Sequence, residues 1–134
     1  MRVVFDTNIY ISAFAIPGGN AEKAYFHAIS GDIDLITSIA ILTETAGKLE
    51  EKFGWEKPQI ARLLKAISHV ATVIRTTPHL NVVSDDPDNR ILECAVQSQA
   101  RLLVTGDRHL LQLKHYQSTE IVKLAAFLKI LEQP

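Results

Sequence analysis

Short apolar runs that end in an acidic residue recur along this chain, and they constrain its fold more than any other feature. Val3-Val4-Phe5 runs into Asp6, Leu102-Leu103-Val104-Thr105-Gly106 into Asp107, and Val82-Val83-Ser84 leads to Asp88. Each is read as a point where a strand hands over to a helix. In an open α/β sheet the carboxyl ends of the strands line one crevice, and ligands bind there. Carboxylates delivered to that crevice from distant segments repel unless a cation neutralises them. Hard divalent ions such as Mg2+ take oxygen ligands and bind substrate phosphates. A fourth acid, Glu44, lies in the intervening helix. The pattern suggests a metal-dependent phosphate-ester site.

The rest of the chain supports this architecture. Arg2 to Phe5, Asp34 to Thr37, Ala71 to Arg75, Arg101 to Val104 and Glu120 to Val122 read as five strands. Between them lie helical segments with recognisable ends. Asn20 is a good N-cap for a helix over 21–30, which Gly31 would close. Ser38 caps a long helix reaching Phe53, with Ile39, Leu42, Ala46, Leu49 and Phe53 as its apolar stripe. Pro58 opens a helix through Ser68, and Pro87 suits the first position of one reaching about Gln99. Asn8 to Phe14, a short helix after Asp107 carrying Leu110, Leu111 and Leu113, and 123–131 complete the set, while 78–86 reads as a loop with a short extended piece. Strands alternating with helices imply a mostly parallel sheet covered on both faces. The expected fold is a three-layer α/β/α sandwich around about five parallel strands.

Composition narrows the class. A chain of 134 residues, 47% of them hydrophobic, is expected to form a single domain over 1–134 with one adequate core. Its apolar runs fall short of the roughly 18 residues that a bilayer span needs. No signal peptide is read at Met1-Arg2, and Cys94 is the only cysteine. A reducing, cytoplasmic setting is the expectation. The 14 Lys and Arg against 15 Asp and Glu argue against nucleic-acid binding through global charge, but leave room for a local basic rim.

Each acid also has a plain structural alternative. Asp6 and Asp107 would both serve as helix N-caps. Asp86, before Pro87, is the natural cap of its helix, which leaves Asp88 in the first turn on the side of Ile91, Leu92, Ala95 and Val96. A lone carboxylate facing that way is costly. Glu44 points away from its helix's apolar stripe, beside Lys48 and Glu51, as an ordinary solvated charge would. The five histidines show no metal-ligand spacing, Cys94 reads as a small core residue, and no Gly-rich phosphate loop is present.

Taken together, these segments resemble the PIN domain family, and within it the prokaryotic subgroup of toxins from toxin–antitoxin pairs. The resemblance rests on Val3-Val4-Phe5-Asp6-Thr7-Asn8, on 38–44 ending in Thr43-Glu44, on Asp86-Pro87-Asp88-Asn89-Arg90-Ile91-Leu92-Glu93-Cys94-Ala95, and on Leu103-Val104-Thr105-Gly106-Asp107-Arg108-His109. It implies cleavage of RNA phosphodiesters with Mg2+ or Mn2+, leaving a 5′-phosphate and a 3′-hydroxyl. It assigns Asp6, Glu44, Asp88 and Asp107 to the acidic, metal-binding positions and Asn8 and Thr105 to supporting ones. Asp86 matches a common but not universal acid. Arg90, Arg108 and Lys48 are candidates for holding the RNA backbone. An antitoxin partner and a homodimer are implied as well.

Two other readings compete. One is a nucleic-acid-binding or scaffold module that keeps the fold without cleavage; retention of all four acids disfavours it. The other is a metal-dependent phosphatase. Its haloacid dehalogenase form needs a second Asp two positions after Asp6, where this chain has Asn8.

Overall fold

Val3, Val4 and Phe5 are fully buried, as residues of a central strand covered on both faces must be. The computed structural model describes residues 1–133. Six strands, β1 (Arg2–Phe5), β2 (Asp34–Ser38), β3 (Thr72–Ile74), β4 (Leu102–Val104), β5 (His115–Tyr116) and β6 (Thr119–Val122), form one sheet in the order β3-β2-β1-β4-β6-β5. All neighbours are parallel except β5, which runs antiparallel to β6. Seven helices flank the sheet: α1 (Thr7–Ala15), α2 (Asn20–Ile29), α3 (Ile39–Phe53), α4 (Lys57–Val70), α5 (Asp86–Ser98), α6 (Arg108–Leu113) and α7 (Leu124–Glu132). Helix α2 packs on α1 and α7, while α3 packs on α4 and α5 and also reaches α1. The expected three-layer α/β/α sandwich is borne out.

The strand order locates the crevice. From β1 the chain builds outward through β2 to β3, then returns to β4 on the other side of β1. The sheet reverses its order between β1 and β4, and this is where an open α/β sheet leaves a cleft. Phe5 and Val104 sit opposite each other at the carboxyl ends of these two strands, and Asp6 N donates to Val104 O at 3.0 Å. Beneath the cleft the Phe5 ring meets Tyr10 and Phe127, with centroids 5.7 and 5.8 Å away. This places an aromatic anchor directly under Asp6.

Four expectations need correction. No strand precedes α5: among the described residues, 75–85 forms neither strand nor helix, so Asp88 follows a loop. The N-cap of α5 is Asp85, without a side-chain cap bond, and Asp86 is the first helical residue. Helix α2 starts at Asn20 with Gly19 as its cap. The buried residues of α3 are Ile41, Leu42, Thr45 and Leu49, whereas Ile39 and Phe53 are 43% and 51% exposed. The sheet also gains β5, a two-residue hairpin arm turned by Gln117 at φ 51°.

Candidate functional site

Asp6 leaves β1 in extended conformation and caps α1, its Oδ1 accepting from Asn8 N at 2.6 Å. The other oxygen, Oδ2, accepts from the hydroxyl of Thr105, the residue after β4. Thr105 Oγ1 accepts in turn from Asp107 N at 2.9 Å. Asp107 caps α6 through Oδ1, which accepts from Leu110 N at 3.0 Å. Capping and site placement are therefore the same event. The turn that satisfies the orphan amides of each helix also fixes the carboxylate at the strand end.

Glu44 enters from α3. Its Oε1 accepts from the hydroxyl of Thr7, the neighbour of Asp6. The side chain is half-buried rather than a freely solvated charge. One turn later on α3, Lys48 Nζ lies 3.4 Å from Asn8 Oδ1 and its charge favours the ionised form of Asp6. Lys48 is the cation that, among the described residues, acts on Asp6.

Asp88 carries the strongest electrostatic signature. It is 6% exposed, and Oδ2 is buried without a hydrogen-bond partner. Burial, followed by repulsion from Asp107, Asp85 and Asp6, pushes its carboxyl up to about 7. Burial also raises Asp6, with Asp107 adding repulsion, against the bonds from Thr105 and Asn8 N and the charge of Lys48. Carboxylates that hold each other toward the neutral form are suited to a shared cation. An orphaned, buried carboxylate oxygen among them fits that role, and the all-oxygen donor set fits a hard divalent ion. Among the described residues no three of these side chains form a ready-made ligand set.

The remaining candidates separate. Asp86 is exposed and lies with Glu44 and Arg90 along a groove between α3 and α5. Asp85, which sequence reasoning passed over, is the residue of that pair whose charge reaches Asp88. Arg108 is exposed and borders a shallow cleft with Lys123 beside Gly106. Arg90 is held from below: Nε lies 2.8 Å from Glu93 Oε1 without hydrogen-bond alignment, and Nη2 donates to Glu93 Oε2 and Leu80 O at 3.1 and 3.0 Å.

Two residues that organise the site were missed. Glu93, whose side chain is fully buried, accepts from His79 N and Leu80 N at 2.6 and 2.8 Å. Those bonds and Arg90 outweigh desolvation and hold its carboxyl below the usual range. Asn89 accepts from Val82 N and Val83 N at 2.9 and 3.0 Å and donates to Val83 O at 2.8 Å. Together they staple the loop before α5 onto the helix, and with it the segment carrying Asp85 and Asp86. The available signal was Glu93 itself, an acid inside the apolar run Ile91-Leu92-Glu93-Cys94-Ala95.

This strand-end acid arrangement on a mostly parallel sheet agrees with the comparisons to known proteins. The sequence matches the PIN domain family over residues 2–109, and the chain belongs to that family. It is 34% identical over 119 residues to the uncharacterized protein MJ1680 of Methanocaldococcus jannaschii, covering 85% of this chain and 76% of that protein. Its fold is similar to VapBC2 from Rickettsia felis, solved bound to a DNA fragment from their promoter. That match has a TM-score of 0.66 at 14% identity and covers 92% of this chain and 98% of the other. VapBC-1 from nontypeable Haemophilus influenzae matches with a TM-score of 0.62 at 17% identity, over 93% and 99% of the two chains. Both structural likenesses concern the fold.

Proposed function

We propose that this chain is a metal-dependent endoribonuclease using Mg2+ or Mn2+, and the toxin of a toxin–antitoxin pair acting in the cytoplasm. The observation that carries the nuclease reading is the buried, unpartnered Asp88 Oδ2 within charge reach of Asp107 and Asp6. Asp6, Glu44, Asp88 and Asp107 would hold the cation, with Thr105 and Thr7 fixing Asp6 and Glu44. A bound divalent ion would lower the pKa of a water and stabilise charge on the attacking and leaving oxygens. Lys48 would hold a phosphate next to the acids, a role supported by its hydrogen bond to Asn8. Arg108 would follow the RNA backbone further out.

Support for the toxin reading comes from the two VapBC structures with the same fold. An antitoxin would then cover the crevice, and a second copy of the chain would form a homodimer. No helix among the described residues is long and apolar enough to cross a membrane.

The test is cleavage of a labelled, mixed-sequence single-stranded RNA with Mn2+, with Mg2+ and with EDTA, beside Asp6→Asn. Asn preserves the cap on α1 while removing the charge. Metal-dependent cleavage that disappears in Asp6→Asn is the expected result. Undiminished turnover in a folded Asp6→Asn protein would overturn the assignment of Asp6.

A further inference from the structure

The groove between α3 and α5 opens beside the acids, and of the four only Glu44 lines it. Its volume is about 440 Å3, within the roughly 300 to 1,000 Å3 typical of small-ligand clefts. Ala40, Ile41, Pro87 and Ile91 supply apolar walls. Glu44 borders the groove and, through Thr7, also abuts Asp6. A strand with a phosphate at the acids would therefore bring a neighbouring base to this groove.

Its polar groups select among bases. Asp86 is 79% exposed, with Oδ2 only 3.9 Å from Arg90 Nη1. Glu93 and Leu80 O hold Nε and Nη2 of Arg90, which leaves Nη1 as the end beside Asp86. The groove thus presents a carboxylate acceptor next to a fixed guanidinium donor. Guanine alone among the four RNA bases offers two adjacent donors on its Watson–Crick edge, with acceptors at O6 and N7. Adenine and cytosine would set a ring-nitrogen lone pair against the carboxylate, and uracil offers a single donor, N3–H, flanked by two carbonyls that repel it. Apolar walls beneath a planar guanidinium also suit a stacked base better than a flexible aliphatic side chain.

We infer that this groove is a guanine-binding subsite, reading a base next to the scissile phosphate through Asp86 and Arg90. It deepens the ribonuclease reading and rests on it for its biological role, while base binding itself requires no metal.

Two experiments separate the claims. Methyl NMR of the protein in EDTA would follow Ala40, Ile41 and Ile91 during titration with 5′-GMP, 5′-AMP, 5′-CMP and 5′-UMP. The expected result is GMP binding at least about tenfold tighter than the other three, as a good base contact provides. Asp86→Ala should erase that preference, and Thr43→Trp, which fills the groove from an exposed helical position, should block binding. In parallel, oligocytidine carrying a single guanosine should be cut at one fixed distance from it. Equal affinity for all four nucleotides, or shifts outside the groove, would overturn the subsite. So would stronger response to an apolar peptide than to GMP. Metal-dependent cutting without register to guanosine would refute the subsite and leave the nuclease standing. Selective GMP binding without any RNA cleavage would support the base site and count against the nuclease.

Discussion

Thr105 donates its hydroxyl proton to Asp6 although the two residues are 99 positions apart in the chain. The same oxygen accepts from Asp107 N, so one small side chain ties the ends of β1 and β4 to the start of α6. Thr105→Val keeps the shape and removes both bonds. Metal affinity and cleavage rate should each fall by about 10- to 100-fold, the usual penalty for losing a partner that orients a metal ligand. Isothermal titration with Mn2+ beside single-turnover cleavage checks this. Unchanged Mn2+ affinity would reduce Thr105 to a strand terminator.

Asp88 makes stability depend on pH in a definite direction. Its carboxyl stands at about 7 in the folded chain against 3.8 as the ordinary value. A raised acid favours the fold when protonated. That contribution is complete below about pH 4 and disappears as pH rises through about 7. Asp6 is shifted the same way. Glu93 is shifted oppositely, and its contribution is lost only as pH falls below the ordinary 4.5. A divalent cation bound as proposed would take the place of the proton, so Mn2+ should raise the melting temperature strongly at pH 8 and little at pH 5. Thermal melts with Mn2+ and with EDTA at both values test it, and an equal rise at the two would contradict the assignment.

Glu93→Gln should loosen the loop before α5. Glutamine keeps an acceptor but loses the charge facing Arg90, leaving that guanidinium half-buried without its partner. A cost of about 1–3 kcal/mol is expected for disrupting charged, buried hydrogen bonds. Hydrogen exchange at His79 and Leu80 should accelerate more than at the β1 amides. Uniform acceleration across the protein would indicate global destabilisation instead.

The phase of α3 can be measured directly. Ile41→Ala, at a fully buried site, should cost about 2–5 kcal/mol. Phe53→Gln, at a half-exposed site, should stay within about 0.5 kcal/mol, as surface substitutions do. Urea titrations of the two variants decide it, and a larger loss for Phe53→Gln would restore the stripe expected from sequence.

What the sequence disclosed was local. Asp6, Ser38 and Asp107 cap their helices because a side chain and an amide two or three residues on settle the matter without tertiary structure. The burial of Asp88 followed from helical periodicity alone. Glu93 and Asn89 stayed hidden because their partners are backbone amides of a loop without period. The α3 stripe was misphased at its ends, where Ile39 and Phe53 meet no opposing layer and hydrophobicity carries no burial information. Asp85 and Asp86 are adjacent and identical in type, so sequence alone does not distinguish which of them caps α5. The hairpin arm β5 is two residues long, too short to show an alternating pattern.

That arm has a consequence for self-association. The sheet ends in β3 on one side, with three residues, and in β5 on the other, with two. Such stubs offer an incoming chain too few free amides and carbonyls to zip onto. Two of these molecules would therefore gain little by extending one sheet into the next, and crowding would not thread them into ribbons.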